Sequence, residues 1–276
     1  MTDRYAVIGH PVEHSLSPRI HAAFAHACGQ DISYDRVLAP LDGFRATVLA
    51  FRDAGGCGLN VTLPFKHEAW DLAGAHSDYA RGARAVNTLV FTGGRITGHN
   101  TDGIGLARDL RDNLRCPVHG RRVLLMGAGG AVYGVMESFL REQPQKIVVA
   151  NRTLDKAKAL VAHFGDLHRL ADGGVSACTY AALAGARFDL VINATSAGLA
   201  DGMPPLPRDV FEPAALAYEM VYGRETPFMR FAAECGARAA DGLGMLVEQA
   251  AESFHIWRGV RPATQPVIEM LRKSGS

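Results

Sequence analysis

Long apolar runs are missing from this chain. None of its 276 residues lies in a stretch long enough to cross a bilayer, and Asp3 and Arg4 precede only a short apolar strand, so no secretory signal is read there. The expectation is a soluble, cytoplasmic protein. Charge of one sign is missing too: 29 Lys and Arg stand against 28 Asp and Glu, which leaves +1 with the histidines neutral. Without a basic tail or face, neither nucleic acid nor a membrane surface is expected as a partner. Cysteine is sparse. The five (Cys28, Cys57, Cys116, Cys178, Cys235) are scattered, odd in number and free of C-x-x-C or zinc spacing. This pattern excludes a disulfide framework, gives no reason to expect a metal, and reads as buried free thiols in a reducing compartment. Internal repeats are absent, and the length suits one large domain or two ordinary ones.

What is present is organised around residues 122–156. Arg122-Val-Leu-Leu-Met126 has strand length and ends at Gly127-Ala128-Gly129-Gly130-Ala131; a helix-compatible segment, 132–141, and a second apolar run, 146–150, complete a β-α-β unit. Glycines at such a hinge let the backbone turn tightly and approach a pyrophosphate, which then rests on the free amides of the helix N-terminus. A tight turn with no ligand is the alternative. The end of the second strand favours the ligand: where an NAD site would carry an acidic residue, this chain has Asn151-Arg152-Thr153, with Lys156 one turn further on. A guanidinium, a hydroxyl and an ammonium suit a 2′-phosphate that a carboxylate would repel, so the cofactor is read as NADP.

The rest alternates strand and helix. Residues 5–9 read as a strand leading to a helix with Ser17 as N-cap and Pro18 at its first position. There Ser15 and Ser17 either cap the helix or hold a carboxylate at its positive end. Residues 57–61 form a strand that delivers Thr62-Leu-Pro-Phe-Lys66, a junction where catalytic groups often sit, although a solvated lysine reads the same. A hairpin, 88–91 with 95–98, turns at Gly93-Gly94 and is bracketed by Asn87 and by His99-Asn-Thr-Asp102, where Asp102 either caps a helix over 104–114 or faces a ligand.

Cys116-Pro-Val-His-Gly120 breaks the pattern and marks a domain boundary. Beyond it, strands at 176–179, 189–193, 216–221 and 238–240 bring the total to six, the count of a doubly wound dinucleotide fold. The loop Asn193-Ala-Thr-Ser-Ala-Gly198 falls at a strand's carboxyl end, either as a ligand loop or as a plain turn. A last helix, 243–257, buries Leu243, Val247, Ala250 and Phe254, and leaves Met245 and Gln249 together on another face. The expected class is therefore α/β: a first α/β domain over 1–114 and a Rossmann-type domain over 120–242.

Together these motifs resemble those of the shikimate dehydrogenase family. Gly9-His-Pro-Val-Glu-His-Ser-Leu-Ser-Pro18, Asn60-Val-Thr-Leu-Pro-Phe-Lys66, Ala85-Val-Asn-Thr88, Asn100-Thr-Asp-Gly103, the glycine turn, Asn151-Arg-Thr153, Asn193-Ala-Thr-Ser196 and Asp241-Gly-Leu-Gly-Met-Leu-Val-Glu-Gln249 carry it in order along nearly the whole chain. The resemblance implies reversible NADPH-dependent reduction of 3-dehydroshikimate to shikimate, on the way to aromatic amino acids, by a monomer or homodimer. It also implies that residues from about 243 to 276 complete the substrate domain.

Carried over, Lys66 and Asp102 would transfer the proton. Ser15 and Ser17 would hold the substrate carboxylate, and Thr62, Asn87, Tyr222 and Gln249 would surround the ring. Gly127, Ala128, Gly129, Gly130, Ala131, Asn151, Arg152, Thr153 and Lys156 would hold the cofactor, joined by Met220, Gly242, Met245 and Asp78. The chain departs from the family's usual residues at Ala22, Glu219 and Gly223. These changes leave open a broader quinate/shikimate enzyme, and a non-catalytic dinucleotide or shikimate sensor is the competing class; the paired serines favour shikimate. Chemically, a ketone receiving hydride needs a proton donor within reach, and a free lysine, which titrates at about 10.4, is protonated at neutral pH.

Overall fold

The computed structural model describes residues 2–165, 174–195 and 202–274. Two compact units are present: residues 1–105 with 246–276, and residues 106–245. The first contains β1 (Asp3–Gly9), α1 (Ser17–Cys28), β2 (Ile32–Leu38), α2 (Phe44–Asp53), β3 (Gly56–Val61), α3 (Lys66–Leu72), β4 (Ala75–His76), α4 (Asp78–Ala83), β5 (Thr88–Thr92), β6 (Arg95–His99) and the start of α5 (Asp102–Arg108). The second contains β7 (Arg122–Met126), α6 (Gly130–Arg141), β8 (Lys146–Ala150), α7 (Leu154–Gly165), β9 (Val175–Cys178), β10 (Phe188–Asn193), β11 (Phe211–Glu219), α8 (Pro227–Glu234) and β12 (Arg238–Asp241). The chain re-enters the first unit within α9 (Leu243–Arg258) and ends in α10 (Gln265–Ser274). No helix among the described residues is long and apolar enough to cross a membrane.

The first unit has a mixed sheet in the order β2-β1-β3-β5-β6-β4, with β1 parallel to β2 and β3, and with β5 antiparallel to both β3 and β6. Ala6, Ile8, Leu59, Val61 and Leu89 point into a core closed by Phe44, Phe65 and Val48. The second sheet, β12-β11-β10-β7-β8-β9, is entirely parallel. Strands buried on both faces need continuous apolar sequence, which β7 and β8 supply. Chain order reverses between β7 and β10, the switch point at which doubly wound sheets bind ligands.

Several local expectations are corrected. The N-cap of α1 is Leu16, not Ser17, and no side chain caps that helix. The helix expected over 104–114 ends at Arg108 and widens into a π-helical turn, Asp109–Asn113. Its cause is Asp109: the buried carboxylate accepts from the Tyr218 hydroxyl at 2.7 Å and from Asn113 Nδ2 at 2.9 Å, which anchors the backbone there. The turn at 116–120 lies inside the second unit, because Cys116 and Val118 are part of its core. All five thiols are free, yet only Cys116 is buried.

His21 is fully buried, stacked on Tyr34 at 4.1 Å and ringed by Phe24, Phe254 and Trp257. Neither ring nitrogen has a hydrogen-bond partner. Burial, weakly opposed by Asn60, lowers its pKa to about 3. The unfolded chain therefore takes up a proton near pH 6.5 that the fold refuses, so stability is whole above that pH and falls as pH drops. Between pH 6.5 and 5 this amounts to about 1.6 kcal/mol, the slope reaching roughly 1.4 kcal/mol per unit only below pH 6.5. His21→Phe removes that part of the slope; urea midpoints at the two pH values that fall equally in parent and variant would show the histidine is not the cause.

Candidate active site

In the first unit, β1 and β3 run side by side and end together, so the segments after them are neighbours. A Cβ on Gly9 would stand 2.4 Å from Thr62 Cγ2, so glycine is what lets Thr62 sit at that junction. Ser15 Oγ accepts from the Ser17 amide at 3.3 Å, and Arg36 Nη2 donates to the Ser15 carbonyl at 2.6 Å, which fixes the approach to α1. Ser17 is buried, and the Tyr34 hydroxyl, whose pKa burial pushes far above the usual range, donates to Asn60 Oδ1 at 2.6 Å.

Lys66 opens α3 and Asp102 opens α5. The Asp102 amide donates to Asn100 Oδ1 at 3.1 Å, and the Lys66 carbonyl accepts from the Val86 amide at 2.9 Å. These anchors bring Lys66 Nζ to 2.5 Å from Asp102 Oδ2. Side-chain exposures of 29% and 15% make the pair half-buried, still open to a ligand. Asn87 Nδ2 donates to Asp102 Oδ1 at 2.8 Å, and Gln249 Oε1 lies 3.4 Å from the same nitrogen. Gln249 reaches this place because Gly105 allows it: a Cβ there would stand 2.6 Å from the Gln249 amide nitrogen. Lys66, Asp102, Asn87 and Gln249 are thus one cluster. Asp78, on α4, pairs with Arg81.

The second unit carries the glycine turn. Gly127 has φ +108°, a conformation side chains rarely adopt, and a Cβ there would lie 3.3 Å from the Ala194 carbonyl oxygen. Gly129, Gly130 and Ala131 are exposed, leaving the α6 N-terminus open. Around it lies a cavity of about 620 Å³ lined by Gly127, Asn151, Arg152, Tyr180, Thr195 and Met203, among others. A second, of about 160 Å³, is bounded by Ala128, Gly129, Asn151, Arg152, Thr153 and Lys156. Among the described residues, no carboxylate lines either one. These features fit a dinucleotide carrying a 2′-phosphate: open amides for the pyrophosphate, cations for the phosphate, and no repelling acid.

Met220 and Gly242 meet across a tight backbone approach, where a Cβ on Gly242 would be 2.3 Å from the Met220 oxygen. Tyr222 is 36% exposed and belongs to this unit, as does Met245. Of the loop after β10, Asn193 to Thr195 are seen, while 196–198 lie outside the described residues.

Sequence reasoning did not single out Tyr180 and Met203 as cavity walls, and it marked Glu219 only as a departure from the family's usual residue; that buried carboxylate accepts from Asn193 Nδ2 at 2.8 Å and Thr226 Oγ1 at 2.9 Å. Asn193 in turn accepts from the Thr195 hydroxyl at 2.7 Å. Glu219 therefore braces the loop that meets the glycine turn. Its bracing role had no local mark beyond a carboxylate standing in an apolar strand.

An all-parallel sheet with a glycine turn at its switch point, in a chain whose other α/β unit holds a half-buried lysine–carboxylate pair, defines the class of dinucleotide-dependent oxidoreductases. Sequence profiles of known families narrow it. The chain matches "Shikimate dehydrogenase substrate binding domain" over residues 7–89, "Shikimate / quinate 5-dehydrogenase" over 109–200 and "Shikimate 5'-dehydrogenase C-terminal domain" over 242–272.

A shikimate dehydrogenase (NADP(+)) of Methylobacillus flagellatus is 57% identical over 271 residues, spanning 98% of this chain and 99% of that protein. Among solved structures, an Ael1 enzyme from Pseudomonas putida is 51% identical with TM-score 0.92, covering 98% of each chain. Shikimate 5-dehydrogenase from Thermus thermophilus in complex with NADP(H) and shikimate is 34% identical with TM-score 0.86, covering 99% of each. The chain belongs to the shikimate dehydrogenase family.

Proposed function

We infer that this chain is an NADP-dependent oxidoreductase that interconverts 3-dehydroshikimate and shikimate in the shikimate pathway. Full-length likeness to curated shikimate dehydrogenases supports the activity, and the observation that carries the chemistry is the Lys66–Asp102 pair at 2.5 Å. When bound, NADPH supplies the hydride. As the ketone oxygen gains negative charge, the Lys66 ammonium donates a proton to it, and in the oxidation direction the neutral amine takes the hydroxyl proton back. Asp102 holds Lys66 in place and offsets its charge. Ser15 and Ser17 bind the substrate carboxylate, with Thr62, Asn87, Gln249 and Tyr222 ordering the hydroxyl-bearing ring.

On the cofactor side, the amides from Gly127 to Ala131 hold the pyrophosphate and Asn151 supports its ribose. Arg152, Thr153 and Lys156 take the 2′-phosphate, while Met220, Gly242, Met245 and Asp78 border the cofactor. Free thiols suit a reducing cytoplasm, and monomer or homodimer is the assembly assigned. Initial rates with shikimate and with quinate, each against NADP and NAD, test this reading. Turnover of shikimate with NADP should exceed the other three combinations; a protein stabilised by these ligands yet forming no NADPH would be a sensor instead.

A further inference from the structure

Behind Asn87 lies a buried chain of polar groups for which the reaction itself has no use. The Tyr34 hydroxyl donates to Asn60 Oδ1 at 2.6 Å. Asn60 Nδ2 stands 3.0 Å from Ser253 Oγ and 3.1 Å from Thr88 Oγ1, and those two hydroxyls are 2.8 Å apart. Thr88 Oγ1 donates to Asn87 Oδ1 at 3.0 Å, and Asn87 Nδ2 donates to Asp102 Oδ1 at 2.8 Å. Thr88 and Ser253 are fully buried, and Asn60 and Asn87 nearly so.

The direction of this chain is fixed by groups that can play only one part. The Thr101 amide can only donate, and it reaches Asn87 Oδ1 at 2.9 Å, so that atom is the carbonyl and the neighbouring nitrogen must face Asp102. Both hydrogens of that nitrogen are then engaged, by Asp102 Oδ1 and by Thr101 Oγ1 at 2.9 Å. Asn60 Nδ2 likewise only donates. Thr88 accepts from it, and its own hydrogen is left for Asn87. From Asn60 through Thr88 and Asn87 the donors therefore point towards the carboxylate, and aligned hydrogen bonds polarise one another, while the Ser253 hydroxyl donates to the Gln249 carbonyl at 3.1 Å.

We propose that Thr88 is a positioning residue for proton transfer: its hydroxyl, fed by Asn60 and packed against Ser253 Oγ, locks the Asn87 amide so that Asp102 Oδ1 is held and Oδ2 is presented to Lys66. The proposal rests on the assignment of Lys66 and Asp102 to the reaction. Thr88 touches neither of them. It acts through Asn87, whose two amide hydrogens are taken by Asp102 and Thr101, so its loss loosens the aim of the carboxylate more than the hold on the ring, which Thr62, Gln249 and Tyr222 share.

Thr88→Val keeps the shape and removes only the hydroxyl. Asn60 Nδ2 retains Ser253, and Asn87 Oδ1 retains the Thr101 amide, so no buried group is orphaned and the variant should fold. The expected result is a fall in kcat for shikimate oxidation of about tenfold, less than the roughly 10²–10⁴-fold that an acid–base group itself contributes, with KM for shikimate unchanged within about twofold. Thr88→Ser, which restores the hydroxyl, should return kcat to near the parent value.

Ser253→Ala, one bond further back, should lower kcat less than Thr88→Val, again with KM held. A raised KM at unchanged kcat, an unchanged pair of constants, or a serine variant no better than valine would each overturn the proposal. Turnover by the parent protein is measured alongside. If the parent forms no NADPH, the assignment of Lys66 and Asp102 fails; if it does and the valine variant matches it, only the relay fails.

Discussion

Lys66→Ala is expected to lower kcat for shikimate oxidation by about 10³-fold, within the range for removal of a general acid–base group. KM should change little, because the serines and Gln249 remain to hold the ring. Asp102→Asn keeps the shape but removes the charge that positions Lys66 at 2.5 Å, and should cost about 10²-fold. The two losses should not add: once Lys66 is gone, Asp102 has nothing to aim, so the double variant should resemble Lys66→Ala alone. Stopped-flow and steady-state rates for all four proteins check this. Full additivity would mean two independent roles, and variants within a few-fold of the parent would remove the pair from the chemistry.

The second large effect concerns cofactor choice. Arg152 and Lys156 bound the cavity of about 160 Å³ beside the glycine turn, which no carboxylate among the described residues lines. Two charge-assisted bonds to a 2′-phosphate, each worth about 1.5–3 kcal/mol, correspond to roughly 10²–10³-fold preference for NADP over NAD even when not fully additive. The double change Arg152→Ala with Lys156→Ala should erase most of that ratio, almost entirely through KM for NADP, while rates with NAD stay near the parent's. Raising ionic strength should mimic the change in part. A ratio that survives both substitutions would place the phosphate elsewhere.

Much of this protein is legible in its sequence where the deciding contacts are local. Strand, glycine turn, helix and strand follow one another within 122–150, because apolar runs, φ-permissive glycines and helix periodicity are properties of neighbours; β7 and β8 keep the expected bounds, and α6 starts two residues before the expected 132. The hairpin of β5 and β6 is readable for the same reason. Lys66 and Asp102 stand at the ends of readable elements, yet their meeting across 36 positions came from family likeness, not from spacing. Asn60 and Ser253, 193 residues apart, carry no local mark of their partnership.

Ser17 illustrates the opposite failure. A serine before proline is a good local cap signal, but Ser17 is buried inside the first turn and Leu16 takes the cap position. Asp109 likewise lies inside a run with helical spacing and is captured by Tyr218, 109 residues away, so the helix widens. Tertiary partners overrule local preference at these polar, buried places because an unpaired carboxylate there costs more than a distorted turn.

The measurement closest to the central claim is NADPH formation from shikimate and NADP by the parent protein and by Lys66→Ala, run with binding of both ligands monitored by thermal shift. The account predicts rapid NADPH formation by the parent, a loss of about 10³-fold in the variant, and similar stabilisation of both by the two ligands. Equal turnover by parent and variant, or binding without turnover in the parent, would contradict it.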